Sequence, residues 1–182
     1  MDEKTSSRRP VYRMVERPDL DDLDLRLLGA LQLNARSTFA ELAASVGLKA
    51  SAVHDRVKRL EQRGYVRRYA AMLDSRRLGI ELVAFVSAFT TPDVTYDDFT
   101  AAVSALPEVG EIHSVAGDES FLLKVLTRST AHLDDFLTRL KGIPGIARSK
   151  TTVVLSTVFE REGIALEELT SAPPARLRAV GG

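Results

Sequence analysis

Residues 38–68 have the sequence TFAELAASVGLKASAVHDRVKRLEQRGYVRR, and this stretch defines the fold of the first part of the chain. Its apolar residues recur at helical spacing in two short runs, and Gly47 marks a tight turn between them. Thr38 followed by Glu41 predicts a capping box where the first run begins. A helix, a turn with glycine and a second helix form the helix-turn-helix arrangement, in which the second helix can enter a DNA major groove.

The flanking residues complete a small domain around this motif. Asp21 or Asp22 can cap a preceding helix. The buried face of that helix would consist of Leu23, Leu27, Leu28 and Leu31. The second helix of the motif is predicted to run to Gln62, and Gly64 can supply the left-handed cap that ends it. Residues 65–73 predict a short hairpin, so the expected domain is a winged helix-turn-helix.

Basic residues concentrate around the motif. Residues 49–77 carry nine Lys/Arg and three acids, a net charge of +6, whereas the whole 182-residue chain has a net charge of 0. Such local asymmetry is the electrostatic footprint of a phosphate-binding surface. Residues 82–161 carry seven Lys/Arg and ten acids, a net charge of −3. We therefore expect double-stranded DNA to bind the first part of the chain alone.

The composition argues against several classes of protein. The chain has no cysteine, so it offers neither a disulfide nor a thiolate, which fits a reducing cytoplasm. No apolar run approaches the ~20 residues of a membrane span, so no membrane partner is expected. Residues 1–18 lack the apolar core of a secretion signal. The three histidines lack ligand spacing, and phosphate-loop and nucleophile motifs are absent, so we predict no metal, no cofactor and no enzyme.

The second half of the chain follows a different pattern. Its strand-like apolar runs and its helix-capping residues predict the order βαββαβ, which is a ferredoxin-like arrangement. The expected fold class is therefore α+β. The predicted strands are 82–90, 109–116, 121–127 and 146–159, and the predicted helices are 95–106 and 130–141. The expected division of the chain is a disordered leader (1–18), a winged helix-turn-helix domain (19–73), a connector (74–81), a ferredoxin-like ligand-binding and oligomerisation domain (82–161) and a flexible tail (162–182).

The first and last predicted strands are apolar on both faces. The first carries Val83, Phe85 and Phe89 against Leu82, Ala84 and Val86, and the last carries Val153, Leu155 and Phe159 against Val154 and Val158. Helices cover only one face of such a sheet, and a face that meets water should be polar. A second copy of the sheet would cover the other face, so we expect a homodimer. The alternative is that the chain's own helices cover it.

A winged helix-turn-helix followed by βαββαβ resembles the Lrp/AsnC (feast/famine) family of bacterial and archaeal transcription regulators. The stretches that carry the resemblance are LDDLDLRLLGALQLNAR (20–36), ELAASVGL (41–48), VKRLEQRGYVRRYAAMLD (57–74), HSVAGDESFLLKV (113–125) and IPGIARSKTTVVL (143–155). The resemblance implies a DNA-binding transcription regulator whose second domain binds a small effector, usually an amino acid. It also implies dimers that assemble into octamers or larger rings.

The chain departs from the family pattern in two places. The family opens the recognition helix with Leu-Ser-Pro, whereas this chain has Leu48-Lys49-Ala50. Either Ser51 takes over the cap one turn late, or Lys49 faces a phosphate. The family turn Gly-Asp-Tyr-Asp-Tyr is here GDESF (117–121). This turn resembles a branch of the family that senses amino acids other than leucine.

The candidate DNA-binding residues lie on and beside the second helix of the motif. They are Arg36, Thr38, Lys49, Ser51, His54, Lys58, Arg59, Arg67 and Arg68. Those on the helix lie off the apolar stripe and can face base edges, whereas the flanking arginines suit phosphates. Asp55 is awkward beside phosphate and is expected to pair with Arg59. The alternatives are an ordinary solvated helix face and surface arginines without partners.

The candidate effector-binding residues cluster around a predicted turn. They are His113, Gly117, Asp118, Glu119, Ser120 and, on the last strand, Thr151. Gly117 gives backbone freedom and exposes amides that suit a carboxylate, while Asp118 or Glu119 suits an ammonium group. The alternative is an ordinary polar β-turn.

Three functions remain open from the sequence. The first is a dimeric transcription regulator that responds to a small effector. The second is an architectural DNA-binding protein without an effector response. The third is a small ferredoxin-like enzyme or effector-binding protein with a vestigial DNA domain.

Overall fold

The computed structural model describes residues 19–161 and 163–166. These residues fall into two compact units, one of residues 19–72 with 159–161 and 163–166, the other of residues 73–158. The α+β class, with a helix-turn-helix domain followed by a ferredoxin-like domain, is confirmed. None of the helices in the described ranges combines the length and the apolar character needed to cross a bilayer. The predicted leader, 1–18, lies outside the described residues, as does most of the predicted tail.

Three helices build the first unit: α1 (Asp22–Leu33), α2 (Phe39–Val46) and α3 (Ala50–Gln62). Asp21 caps α1, and its side chain accepts from the backbone N–H of Asp24 at 2.8 Å. The predicted capping box of α2 is confirmed: Thr38 Oγ1 accepts from Glu41 N–H at 3.2 Å, and Glu41 accepts from Thr38 N–H at 2.7 Å.

Two glycines shape the ends of α2 and α3. Gly47 ends α2 with φ 72°, and Gly64 follows α3 with φ 77°, so both occupy the left-handed region that glycine adopts without strain. The backbone N–H of Tyr65 donates back to the carbonyl of Leu60 at 3.0 Å, which closes the last turn of α3. The left-handed cap predicted at Gly64 is thus present.

One core holds the three helices together. Its fully buried members are Leu27 from α1, Leu42 from α2, and Val53, Val57 and Leu60 from α3. The three residues of α3 form the stripe predicted from the sequence. Burial of five such side chains fixes how α3 lies against α1 and α2, and therefore which face of α3 remains exposed.

The hairpin predicted for residues 65–73 is wrong. Residues 67–74 form neither helix nor strand. The stretch YVRRYAAML contains no Gly, Pro, Asn or Asp, so it lacks the residues that reverse a chain tightly. Residues 65–73 therefore leave α3 without forming a wing in this chain.

The second unit is a four-stranded antiparallel sheet with two helices. Its elements are β1 (Leu82–Thr90), α4 (Tyr96–Ser104), β2 (Val109–Ser114), β3 (Phe121–Thr127), α5 (Thr130–Lys141) and β4 (Ile146–Val153). The strand order is β2-β3-β1-β4, with β1 paired to both β3 and β4. The predicted βαββαβ order is confirmed.

The core of this unit lies between the helices and one face of the sheet. Ala84, Val86 and Ala88 of β1 are fully buried there, together with Phe99 of α4 and Phe136 of α5. Because alternate residues of a strand point to opposite faces, Val83, Phe85, Ser87 and Phe89 lie on the other face. We call this second face, which the chain's described helices leave uncovered, the open face.

The last strand is shorter than predicted. β4 ends at Val153, and the pairing continues by one bond, from Val154 N–H to the Val83 carbonyl at 2.9 Å. Leu155 and Val158, which we had placed on the strand, are 97% and 95% exposed. Strand propensity alone cannot extend a strand beyond the partner that pairs with it, and β1 begins at Leu82.

The described part of the predicted tail contacts α1. The side-chain amide of Gln32 donates to the Ile164 carbonyl at 2.9 Å and accepts from the Ile164 N–H at 3.0 Å. The two bonds resemble the exchange between paired strands, and they join residues 163–166 to α1, a contact that no feature of the sequence indicates.

Candidate DNA-binding surface and candidate effector turn

The exposed face of α3 carries three of the predicted contacts in one row. Ser51, His54 and Lys58 are spaced i, i+3 and i+7, so they lie above one another on the helix surface. All three are exposed, whereas Val53 and Val57 between them are buried. A helix anchored by one stripe and polar on the opposite one has the form of a recognition helix.

The start of α3 differs from one of our expectations. Lys49 is the N-cap residue, and no side chain caps the helix, so the prediction that Ser51 takes over the cap is wrong. Ser51 is already inside the helix, because Ala50 begins it. The first N–H groups of α3 thus lack a side-chain acceptor and, with the exposed Lys49 beside them, can receive a phosphate oxygen.

The pairing predicted between Asp55 and Arg59 is also wrong. Asp55 Oδ1 instead lies 3.2 Å from His54 Nδ1, and its side chain is 82% exposed. The His54 ring packs edge-on against Phe39 of α2, with the centroids 5.0 Å apart. This ring contact fixes His54 at the surface shared by α2 and α3. Arg59 has no described partner for its side chain and lies beside Lys58.

Two other basic residues, one within α3 and one at its C-terminal end, stabilise the fold. The guanidinium of Arg56 donates to Asp21 at 2.7 Å and to Asp24 at 2.6 Å, and these hydrogen bonds raise its pKa. Arg63 donates to the Asp19 carbonyl at 3.0 Å and lies 5.1 Å from the ring centre of Tyr65. Neither residue was among our predicted DNA contacts, and both join α3 to other parts of the first unit.

The three flanking arginines among the candidates are all exposed. Arg36 lies between α1 and α2, and Arg67 and Arg68 follow the end of α3; no described residue pairs with their side chains. The hydroxyl of Tyr69 donates to Glu61 at 2.6 Å. Burial of the hydroxyl is the larger cause, and this bond the next, of a rise in the pKa of Tyr69 to about 12. The Tyr69 bond therefore holds the arginine pair near the end of α3.

Thr38 is placed differently from the other candidates. Its hydroxyl is already engaged with Glu41, as donor at 2.9 Å and as acceptor in the capping box. The structure thus brings Ser51, His54 and Lys58 into one row, leaves Arg36, Arg67 and Arg68 exposed and commits Thr38 mainly to starting α2.

The candidate effector turn connects β2 to β3. Ser120 is fixed against β1: its N–H donates to Ala88 at 3.0 Å, and its hydroxyl accepts from the Thr90 hydroxyl at 2.9 Å. Gly117 has no positive φ, so its conformation does not require glycine, contrary to our expectation of special backbone freedom. Within the described ranges, the carboxylates of Asp118 and Glu119 make no hydrogen bond or ion pair.

His113 and Thr151 lie on opposite faces of the sheet. Thr151 is paired with Val86 and shares the helix-covered face, whereas His113 is paired with Leu122 on the open face. His113 Nε2 is 2.8 Å from Glu111, and this bond lowers the pKa of Glu111. The two residues also lie on opposite edge strands, so one subunit alone does not bring the six effector candidates together.

These features define a class: a helix-turn-helix protein with a ferredoxin-like second domain. The family model for the AsnC-type helix-turn-helix domain matches residues 20–61, and the model for the Lrp/AsnC ligand binding domain matches residues 83–164. The chain is 38% identical over 140 residues to the transcriptional regulator LrpA of Mycobacterium tuberculosis, covering 77% of this chain and 93% of that protein. The chain belongs to the Lrp/AsnC family.

Other relatives and solved structures agree. The leucine-responsive regulatory protein of Haemophilus influenzae is 34% identical over 152 residues, covering 81% of this chain and 91% of that protein. A transcriptional regulator of Neisseria meningitidis in complex with L-methionine superposes with a TM-score of 0.79 at 29% identity, covering 82% and 99%. The feast or famine regulatory protein of M. tuberculosis, also complexed with L-methionine, has a TM-score of 0.72 at 38% identity, covering 78% and 95%.

Proposed function

We propose that this protein is a sequence-specific, DNA-binding transcription regulator that responds to a small effector, an amino acid. One observation carries the first half of the proposal: the exposed row Ser51, His54 and Lys58 on α3, within a stretch of net charge +6. Serine and histidine can bond base edges, and the basic residues around them suit phosphates. The relatives named as transcriptional regulators support this function.

The effector half of the proposal concerns residues 117–120. The free carboxylates of Asp118 and Glu119 are suitable partners for the ammonium group of an amino acid. Related structures that contain L-methionine support an amino acid as ligand. Because His113 and Thr151 occupy opposite faces, we propose that the site is completed between neighbouring subunits, with each subunit contributing different candidates.

We also propose that the protein forms at least a homodimer. The open face presents Phe85, 37% exposed, and the half-buried Val83 and Phe89. Lys124 and Lys150 also lie on this face, so its apolar centre has charged neighbours. A second sheet would cover the apolar part. Assembly of such dimers into an octamer is the further step that the family resemblance implies.

Salt-dependent DNA titration tests the DNA-binding half. Lys58→Ala and Arg67→Ala should each weaken binding and lower the slope of log affinity against log salt by about one unit if each contacts a phosphate. The matched control is Lys141→Ala, because Lys141 is an exposed lysine at the end of α5 and outside the basic stretch. Equal slopes for Lys58→Ala and the control would contradict the assigned surface.

Selection from a random duplex library separates the two DNA-binding functions. A regulator of defined genes should enrich one sequence pattern, whereas an architectural protein should enrich none.

Thermal-shift measurements with the twenty amino acids test the effector, since a ligand at 100 times its Kd stabilises the protein by about 2.7 kcal/mol. Asp118→Ala should abolish a shift that arises at residues 117–120 and leave effector-free DNA binding near the parent value.

A further inference from the structure

Residues 163–166 come after the sheet of the second unit in the chain, yet they lie against α1 of the first unit. We call them the docked segment. The side-chain amide of Gln32 bonds both the carbonyl and the N–H of Ile164, at 2.9 and 3.0 Å. An amide that bonds both backbone groups of one residue holds an extended main chain, whatever side chain that residue carries.

Two glycines shape this contact. Gly29 lies in the interior of α1, where glycine is unfavourable, and a Cβ there would stand 3.9 Å from Leu166 Cδ1. Gly163 lies so close to α1 that a Cβ on it would come within 2.3 Å of the side-chain amide carbon of Gln32. A larger residue at position 163 would therefore push the Gln32 amide away from Ile164. The contact depends on the absence of a side chain at this position.

The packing of the docked segment is incomplete. A cavity of about 300 Å³ remains beside it, with Leu33 and Arg161 among its lining residues. Ile164 is 69% exposed, and both of its bonds to Gln32 are exposed to water. Exposed hydrogen bonds with little buried apolar surface give a low free energy of local opening. The docked segment can therefore open while both units stay folded.

The chain joins the two units twice. It passes from the first unit to the second at residues 72–73 and returns at residues 158–159. The first connection includes residues 67–74, which form neither helix nor strand. The second connection is anchored on α1 when the docked segment is in place. Two anchored connections restrict the motion of one unit against the other more than a single connection does.

We propose that the docked segment is a latch on the DNA-binding unit. Closed on α1, it restricts the positions that the recognition helix α3 can take with respect to the sheet, and open, it releases them. The partner of this surface of α1 is thus a segment of the same chain. In a dimer with one α3 in each subunit, a closed latch narrows the range of half-site spacings that both helices reach together. This inference rests on the proposed DNA-binding function and on the proposed dimer.

The first experiment tests the contact without DNA. The full-length chain has no cysteine, so Gln32→Cys combined with Gly163→Cys introduces a single pair. A Cβ at position 163 would lie 2.8 Å from Gln32 Cγ, which is bonded to Gln32 Cβ, so the two Cβ atoms would be close to the roughly 3.5–4.5 Å apart that a disulfide requires. Oxidation should give a disulfide-bonded form that migrates as one chain on a non-reducing gel. A pair that stays reduced, or that links two chains, would overturn the proposal.

The second experiment releases the latch and measures binding to duplexes that carry two selected half-sites at different spacings. The parent should prefer its best spacing at least tenfold over one that is longer by half a helical turn, about 5 base pairs. Gly163→Ala, which displaces the Gln32 amide, should reduce this preference at least fivefold and leave binding to a single half-site within twofold of the parent. Gly29→Ala is the matched control, because its methyl group has room beside Leu166, and it should keep the spacing preference of the parent.

The cysteine pair supplies the closed and the open state in one protein. The oxidised form should keep the spacing preference of the parent, and the reduced form, which lacks the Gln32 amide, should lose it as Gly163→Ala does. Binding of the parent to a single half-site decides the proposed function by itself, and if that binding is absent, the function and the latch fall together. If the parent binds but the oxidised and reduced forms show the same spacing preference, the latch alone is overturned.

Discussion

Arg56 and Lys58 lie two residues apart on α3 and have different roles. In the sequence both are basic residues of an amphipathic helix, and nothing local distinguishes them. In the structure Arg56 is directed at Asp21 and Asp24, whereas Lys58 is exposed and has no described partner. The net charge of the stretch therefore overstates the charge available to DNA, because part of it is neutralised within the unit.

Substitution of these two residues separates stability from DNA binding. Arg56→Met should lower the free energy of unfolding by about 3 kcal/mol, because it leaves Asp24, 6% exposed, without its cation. Lys58→Met should change stability by less than about 0.5 kcal/mol. Chemical denaturation measures both values. Equal stability of the two variants would show that Arg56 does not anchor the helices.

Glu108 should make the stability of the protein depend on pH in the acid range. Burial opposes its ionisation, but hydrogen bonds from Arg139 and His132 outweigh burial and hold its folded pKa at about 2, below the ordinary value of 4.5. The ionised form therefore stabilises the fold fully above pH 4.5, and this contribution is lost as the pH falls from 4.5 through 2. The loss is on the order of 3 kcal/mol.

Denaturation of the parent and of Glu108→Gln at several pH values checks this. The difference in stability between them should be largest at neutral pH and should shrink below pH 4.5. A difference that stays constant down to pH 2 would mean that Glu108 is not held ionised by Arg139 and His132. Glu108 could not be recognised from the sequence, because its two partners lie 24 and 31 residues away along the chain.

At the scale of elements, the sequence predicts best where local signals agree. β1, β3 and α5 have the predicted bounds, because apolar alternation or helical spacing is enclosed by clear caps and turns. The failures have non-local causes. The extra residues of β4 have no strand to pair with, and residues 65–73 have strand-like side chains but no turn residue.

The uncapped start of α3 provides a prediction for one element. Lys49 has φ −81° and ψ 148°, the extended conformation of an N-cap residue, so a serine there can accept from the first N–H groups. Lys49→Ser should raise the free energy of unfolding by about 1 kcal/mol. It should also weaken DNA binding and lower the salt slope by about one unit if Lys49 meets a phosphate.

Lys49→Ala serves as the control for this substitution. It removes the same charge and adds no acceptor, so it should weaken DNA binding equally without the gain in stability. Thermal or chemical unfolding and a salt titration measure the two effects separately. A serine variant that is more stable but binds DNA like the parent would place Lys49 away from the phosphates.

At the scale of the whole molecule, the sequence predicts the open apolar face of the sheet better than it predicts the arrangement of the effector candidates. The alternation of β1 predicts an open apolar face, and Phe85 lies on it as expected. The effector candidates were grouped because the family resemblance groups them, yet His113 and Thr151 lie on opposite faces of one subunit. A site completed between two subunits, as we propose, could not be assembled from the positions of these residues in one subunit.

Phe85→Asp tests the proposed association through the open face. The substitution places a carboxylate where a second sheet would exclude water, at a cost of about 3 kcal/mol for each unpaired charge. A twofold interface contains the residue twice, so the dimer dissociation constant should rise about ten-thousandfold. Sedimentation velocity should then show monomers at concentrations where the parent is a dimer or larger.

The matched control is Thr138→Asp, which adds the same charge at an exposed position of α5 on the helix-covered side. It should sediment like the parent, and both variants should keep the far-ultraviolet circular dichroism of the fold, because Phe85 is already partly exposed in the single chain.

Loss of the dimer should also weaken binding to a two-half-site operator far more than to a single half-site, since two linked recognition helices bind with a high effective concentration. If Phe85→Asp sediments like the parent, the sheets do not meet through the open face, whereas the assignment of α3 to DNA is unaffected because it depends on other residues.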